Sequence, residues 1–147
     1  MGAITQPPVI PLVQTYSPAL KGASDDPVVT YGTRVGRYYT LGKLCYVTVT
    51  LTATTMTKTT LTDVLGVSLP IAAANVAGAV QLLHARVENA TAVALASIAE
   101  TTANTALVAF RTLPISAASS LLTYGILSIG VLTNTITIQF SGWYETV

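Results

Sequence analysis

Charge is what this sequence has least of. Seven Lys or Arg and six Asp or Glu make up only 9% of its 147 residues, against roughly 25% in an ordinary soluble domain. The basic residues are scattered singly, whereas a site for a nucleic-acid backbone needs them clustered, so nucleic acid is excluded as a partner. Histidine and cysteine occur once each, so one chain can form neither an internal disulfide nor a standard zinc set. No run of 18 apolar residues occurs, and no membrane helix is expected. The start, MGAITQPPVIPLVQTYSP, lacks the basic residues and continuous apolar stretch of a secretory signal. Without such a signal Asn89-Ala90-Thr91 reads as a chance match to the glycosylation pattern. Gln6 stands where a myristoylation signal has Ser or Thr. Internal repeats and heptads are absent, which excludes a solenoid and a coiled-coil stalk.

What is present is apolar and β-prone. Hydrophobic residues make up 51% of a chain whose length fits one domain. The surface must then be mostly Thr, Ser, Ala and Gly, and a net charge of +1 does little to keep copies apart, so association with partners is expected. From Val28 onward short segments rich in Val, Ile, Thr and Tyr alternate with Gly, Asn, Asp or Pro: VVTY, RYYTL, LCYVTVTLTATT, VLGVSLP, TAVALASIA, TALVAFRT, YGILSIGVL and TITIQFSGWY. In the third, the alternation predicts Cys45, Val47, Val49, Leu51 and Ala53 facing inward and Tyr46, Thr48, Thr50 and Thr52 facing outward. Ile136, Ile138 and Phe140 form the matching inward set. Cys45 is therefore a buried thiol. Val76, Val80, Leu83 and Val87 also recur near helical spacing, but Gly78 and the preceding Ser-Leu-Pro favour a strand.

These patterns predict an all-β fold, an antiparallel β-sandwich over residues 27–147. A membrane barrel is disfavoured by Pro-containing turns and the lack of aromatic girdles. Residues 1–26 read as an extended N-terminal arm: Pro7, Pro8 and Pro11 stand among four apolar residues, Val9, Ile10, Leu12 and Val13, on a backbone unsuited to a central strand. Ile4, Val9, Ile10, Leu12 and Val13 are too apolar for a solvated tail. Ile4, Pro7, Pro8, Val9, Ile10, Pro11, Leu12 and Val13 are thus the candidate protein-binding residues of this arm.

Candidate chemistry is thin. His84, in Leu-Leu-His-Ala-Arg, reads as a core or edge histidine, although copies related by a symmetry axis could bring such residues together. Asp25-Asp26-Pro27 reads as a turn held by Asp bonding to backbone, with too few oxygens for calcium. Nothing in the spacing of Asp63, Glu88 and Glu100 marks a facing carboxylate pair. No catalytic residue, metal or cofactor is expected.

From Tyr16 to Thr52, YSPALKGASDDPVVTYGTRVGRYYTLGKLCYVTVTLT resembles a β-sandwich module of tailed-bacteriophage structural proteins, found in capsid decoration (cement) proteins and tail-fibre tips. The shared order is an aromatic followed by x-Pro, a Gly loop, Tyr31, Gly36-x-Tyr38, then Gly42 leading into a long Val-rich strand. Tyr16 stands where that family often has Trp. VSLPIAAANVAGA and the closing ITIQFSGWYE continue the resemblance, while residues 88–130 match only in β texture. It implies a jelly-roll-like sandwich, a homotrimer and a place on the outer capsid surface of a virion, with the major capsid protein as partner. The alternative is a fibre tip or receptor-binding module recognising the host surface. Gly36 and Gly42 are expected at turns flanking a short RYYTL strand. Tyr38 and Tyr39 then project to opposite faces, so that either one ring serves a neighbour or both cap the core edge. Tyr38, Tyr39 and Tyr46 are the candidate subunit-interface residues, and Trp143 is expected to pack at a strand end beside Gly142.

Overall fold

The structure, a computed structural model, describes residues 11–58, 60, 62, 64–76, 80–90, 97–112, 125–126, 129 and 132–147. The all-β expectation is met. Ten strands form among the described residues: β1 (Gln14–Tyr16), β2 (Leu20–Lys21), β3 (Val28–Leu41), β4 (Leu44–Thr57), β5 (Gly66–Ser68), β6 (Leu82–Ala90), β7 (Ser97–Thr101), β8 (Leu107–Thr112), β9 (Gly125–Ile126) and β10 (Leu132–Glu145). No helix among these residues is long and apolar enough to cross a membrane.

All pairings between these strands are antiparallel. The strand order is β1-β3-β4-β10-β6-β7-β8-β5-β2, with β9 on β8. The two ends of this order, β1 and β2, are joined only by Ser17, Pro18 and Ala19. Such a link spans at most about 14 Å, and packed sheets lie about 10 Å apart. The sheet therefore curls until its two ends face each other across one core, which gives the sandwich-like form. Residues 14–21, assigned to the arm by sequence, thus pair with both ends of the sheet: β1 with β3 and β2 with β5.

Three tyrosine hydroxyls reinforce this closure. Tyr16 of β1 donates to the Ser68 carbonyl at 3.2 Å, and Tyr144 of β10 to the Ile71 carbonyl at 3.0 Å. The Tyr31 oxygen of β3 accepts from the Leu20 amide at 2.9 Å. Each ring adds apolar area to the core while its oxygen satisfies a backbone group that the curl takes from water.

The inward sets are as the alternation predicts. Cys45, Val47, Val49, Leu51 and Ala53 are buried, as are Ile136, Ile138 and Phe140. Phe140 meets Phe110 of β8 edge-on, with ring centroids 6.0 Å apart, and this contact joins the two layers. Burial, with a smaller opposing effect from the Tyr144 hydroxyl, pushes the Cys45 thiol up. Burial also raises Tyr144 and Tyr16, with a smaller contribution from the neighbouring Cys45.

Two expectations are corrected. VVTY and RYYTL are not separate strands but one strand of 14 residues, β3, and Gly36 is not at a turn. It lies buried in mid-strand, opposite Tyr16 on one side and Val49 on the other. A Cβ there would come within 2.1 Å of the Tyr16 ring, so glycine makes room for the aromatic. The register of β3 shifts around Tyr31–Thr33. Such an irregularity exchanges the faces of a strand, so odd-numbered Tyr31 and even-numbered Tyr38 both pack on the core. Gly42 behaves as expected: at φ +59° it turns β3 into β4, with Leu41 opposite Leu44.

The central segment is strand only from Leu82. Leu83, Ala85 and Val87 are buried in alternation, whereas Val76 and Val80 precede the strand and Val80 is exposed. Thr102–Ala106 forms the polar turn before β8, with Asn104 at φ +57°, a conformation that asparagine tolerates.

Candidate functional site

The outer face of β3, β4 and β10 is built by the same alternation that builds the core. Thr48, Thr50 and Thr52 of β4 stand opposite Arg37, Val35 and Thr33 of β3, and opposite Ser141, Gln139 and Thr137 of β10. Threonine keeps β propensity without charge, so this face is polar enough for water and neutral enough to be covered.

Near the β3–β4 turn the character changes. Tyr46 stands opposite Tyr39 on one side and Trp143 on the other. The three rings touch mutually, with centroids 5.4 Å apart for Tyr39–Tyr46, 5.2 Å for Tyr46–Trp143 and 5.3 Å for Tyr39–Trp143. Trp143 is 42% exposed, and Leu41 and Leu44, two pairs nearer the turn, are 45% and 48% exposed. At the β1 edge a hollow of about 230 Å³ is lined by Val13, Arg37, Tyr38, Tyr39, Tyr46 and Thr48. An apolar row thus crosses the sheet from Val13 through Tyr39 and Tyr46 to Trp143. Leu82, exposed on β6, extends the apolar surface beyond β10. Such a contiguous apolar surface, half-buried at Tyr39 and Tyr46 and exposed at Trp143, is a candidate interaction surface on a domain with little charge.

Of the candidate interface residues, Tyr39 and Tyr46 lie together on this face. Tyr38 packs on the core side, edge-on to Tyr16 at 5.9 Å, and its hydroxyl donates to Gln14 Oε1 at 2.7 Å. Tyr38 and Tyr39 therefore do project to opposite faces. Trp143 belongs to the outer row rather than to strand-end packing. The parity of Ile136, Ile138 and Phe140, extended along β10, places Tyr144 inward and Trp143 outward. Among the arm residues Pro11 is half-buried, while Leu12 and Val13 are exposed. Ile4, Pro7, Pro8, Val9 and Ile10 lie outside the described residues.

The polar candidates serve local structure. His84 is neither core nor edge: it is exposed on β6, a strand paired on both sides, opposite Ser141 and Ile98. Glu88 is ion-paired with Arg86, and Glu100 with Arg111 at 2.6 Å. Asp63 lies outside the described residues. Asp26 binds Lys21 and accepts from the Gly22 amide at 3.2 Å, which closes the loop before β3. Among the described residues no three His, Cys, Asp or Glu side chains are grouped to hold a metal ion.

Comparison with protein families, curated proteins and solved structures finds no match to this chain.

Proposed function

We propose that this protein is a capsid decoration (cement) protein of a tailed phage. As a homotrimer it binds the outer capsid surface and stabilises the shell by bridging subunits of the major capsid protein. The mechanism is adhesion: apolar contacts made across neighbouring capsomers must be broken before the shell can open, and repeated copies multiply weak contacts through avidity. The observation that carries this reading is the sparsely charged, threonine-covered outer face of β3, β4 and β10, bordered at one end by the half-buried Tyr39 and Tyr46 and the exposed Trp143. Covering that face gains aromatic contact area and strands few charges. The phage assignment rests on the resemblance of residues 16–52 and of the closing Ser-Gly-Trp-Tyr.

One feature favours a second reading as a fibre-tip or receptor-binding module. The rings of Tyr39 and Tyr46, inclined at 35° to each other, line a hollow with Arg37 and Thr48, and aromatic faces with flanking hydrogen-bonding groups suit a sugar ring. One measurement tests the trimer and a second separates the two readings. Light scattering at micromolar concentration is expected to return three times the 15.3 kDa chain mass. Cryo-electron microscopy of capsids first stripped of the protein and then incubated with it is expected to show copies distributed over the head. Binding confined to the tail or to host glycans supports the second reading, and binding to none of these surfaces overturns both.

A further inference from the structure

The geometry points to an occupant for the aromatic row: the proline-rich N-terminal segment, residues 4–10, of a second copy of this chain. This holds whatever surface the protein coats, so its failure would leave the capsid reading standing.

The first observation is chemical. Tyr39, Tyr46 and Trp143 form a solvent-facing aromatic surface with a hollow at its β1 edge. Aromatic-lined grooves of this kind bind proline-rich chains, because a polyproline II segment is already extended and loses little entropy on docking. The sequence supplies such a segment in Ile4-Thr5-Gln6-Pro7-Pro8-Val9-Ile10-Pro11. Three residues per turn would align Ile4, Pro7 and Ile10 along one edge, about 19 Å from end to end. The row crosses from β1 to β10, three strand spacings or about 14 Å. Segment and row are therefore both apolar, and the segment is long enough to span the row with about one strand spacing to spare.

The second observation is directional and favours another copy over the chain's own arm. Gln14 pairs with Tyr38 and Tyr16 with Gly36, so the upstream end of β1 points along β3 toward the β3–β4 turn. The row runs across the strands. To lie on its own row the arm would have to turn through about a right angle within Pro11–Val13, which contains no glycine. Proline fixes its own φ near −65° and disfavours a helical turn in the residue before it, so Pro11 opposes such a turn. An arm that continues straight reaches a neighbour instead. Arm exit and aromatic row lie at the same end of the molecule, so two or more copies meeting there can exchange arms reciprocally, the arrangement that closes a symmetric oligomer.

Trp143 is the only tryptophan, so its fluorescence reports directly on the row. For the full-length protein, emission is expected to be blue-shifted and shielded from acrylamide at high concentration. On dilution it should shift to the red in step with the fall in mass measured by sedimentation. The full-length variant Ile4→Asp/Ile10→Asp alters only residues upstream of the sheet. It should keep the wild-type circular dichroism, show red-shifted emission throughout, and self-associate at least about tenfold more weakly. A synthetic peptide of residues 1–13 added to this variant should restore the blue shift. Wild-type emission that stays red-shifted, or variant self-association equal to wild type, would overturn the proposal. So would Trp143 shielded in a monomer independently of concentration, which would assign the row to the chain's own arm.

Discussion

Single positions in this protein do more than fill a pattern, and Gly36 shows it. Its missing side chain is the space in which the Tyr16 ring lies, and that ring carries the bond to Ser68 across the core. Gly36→Ala is expected to displace the ring and destabilise the fold by about 1–3 kcal/mol, read as a lowered denaturant midpoint. A midpoint equal to wild type would mean that Tyr16 moves aside freely. The buried hydroxyls also set an alkaline limit. Burial raises Tyr16 and Tyr144 above their ordinary value, so the folded state holds their protons more tightly than the unfolded chain does. Their contribution is complete below about pH 10, the unfolded value. It is lost as pH rises from there toward the folded values, because the unfolded chain then releases protons that the folded chain keeps. Cys45, raised in the same sense, adds to the loss from somewhat lower pH. Stability measured by urea unfolding should therefore fall steeply above about pH 9–10, and Tyr16→Phe/Tyr144→Phe should flatten that fall. An unchanged slope in the double variant would mean that other groups set the limit.

At the level of elements, the short strands β1 and β2 have an effect out of proportion to their length. Each pairs with an opposite end of the strand order, and Leu20 is buried between the layers. Removing residues 1–10 should leave thermal unfolding unchanged at concentrations low enough for the protein to be monomeric, since the sheet begins downstream of them. Removing residues 1–21 strips both ends and deletes a core leucine, and should cost about 3 kcal/mol or more, seen as loss of the cooperative transition. A 1–21 deletion that melts like wild type would show that the curl persists without its closing segment. The long strands β3, β4 and β10 divide their labour by face: one side packs the core, and the other carries threonines and, at one end, the aromatic row.

For the whole molecule, the scarcity of charge sets how the proposed self-association should respond to salt. The row joins apolar rings, with Arg37 the charged member of the adjoining hollow. Self-association through it should thus change by less than about twofold between about 0.05 M and 0.5 M NaCl, a range over which exposed ion pairs are progressively screened. Sedimentation at both salt concentrations checks this, and a tenfold loss at high salt would indicate an electrostatic contact elsewhere. The overall charge of +1 offers no long-range barrier to assembly, and the ion pairs Arg86–Glu88 and Arg111–Glu100 neutralise four of the few charges within the chain.

What the sequence determined by itself is what depends on neighbours along the chain. The period-two alternation of Cys45 to Ala53 and of Ile136 to Phe140 established strands and their buried faces, because successive side chains of a strand must point to opposite sides. Gly42 marked a turn, because a positive φ is a local property. Trp143 was expected to pack at a strand end, although continuing the parity of β10 already pointed its side chain outward. The tertiary structure decided what depends on register between distant segments. Gly36 looked like a turn residue until pairing brought the Tyr16 ring onto it. Residues 14–21 looked like arm until they were paired with β3 and β5. Tyr39, Tyr46 and Trp143 became one surface only because β4 lies between β3 and β10, a neighbour relation that joins residues about a hundred positions apart and leaves no trace in local periodicity.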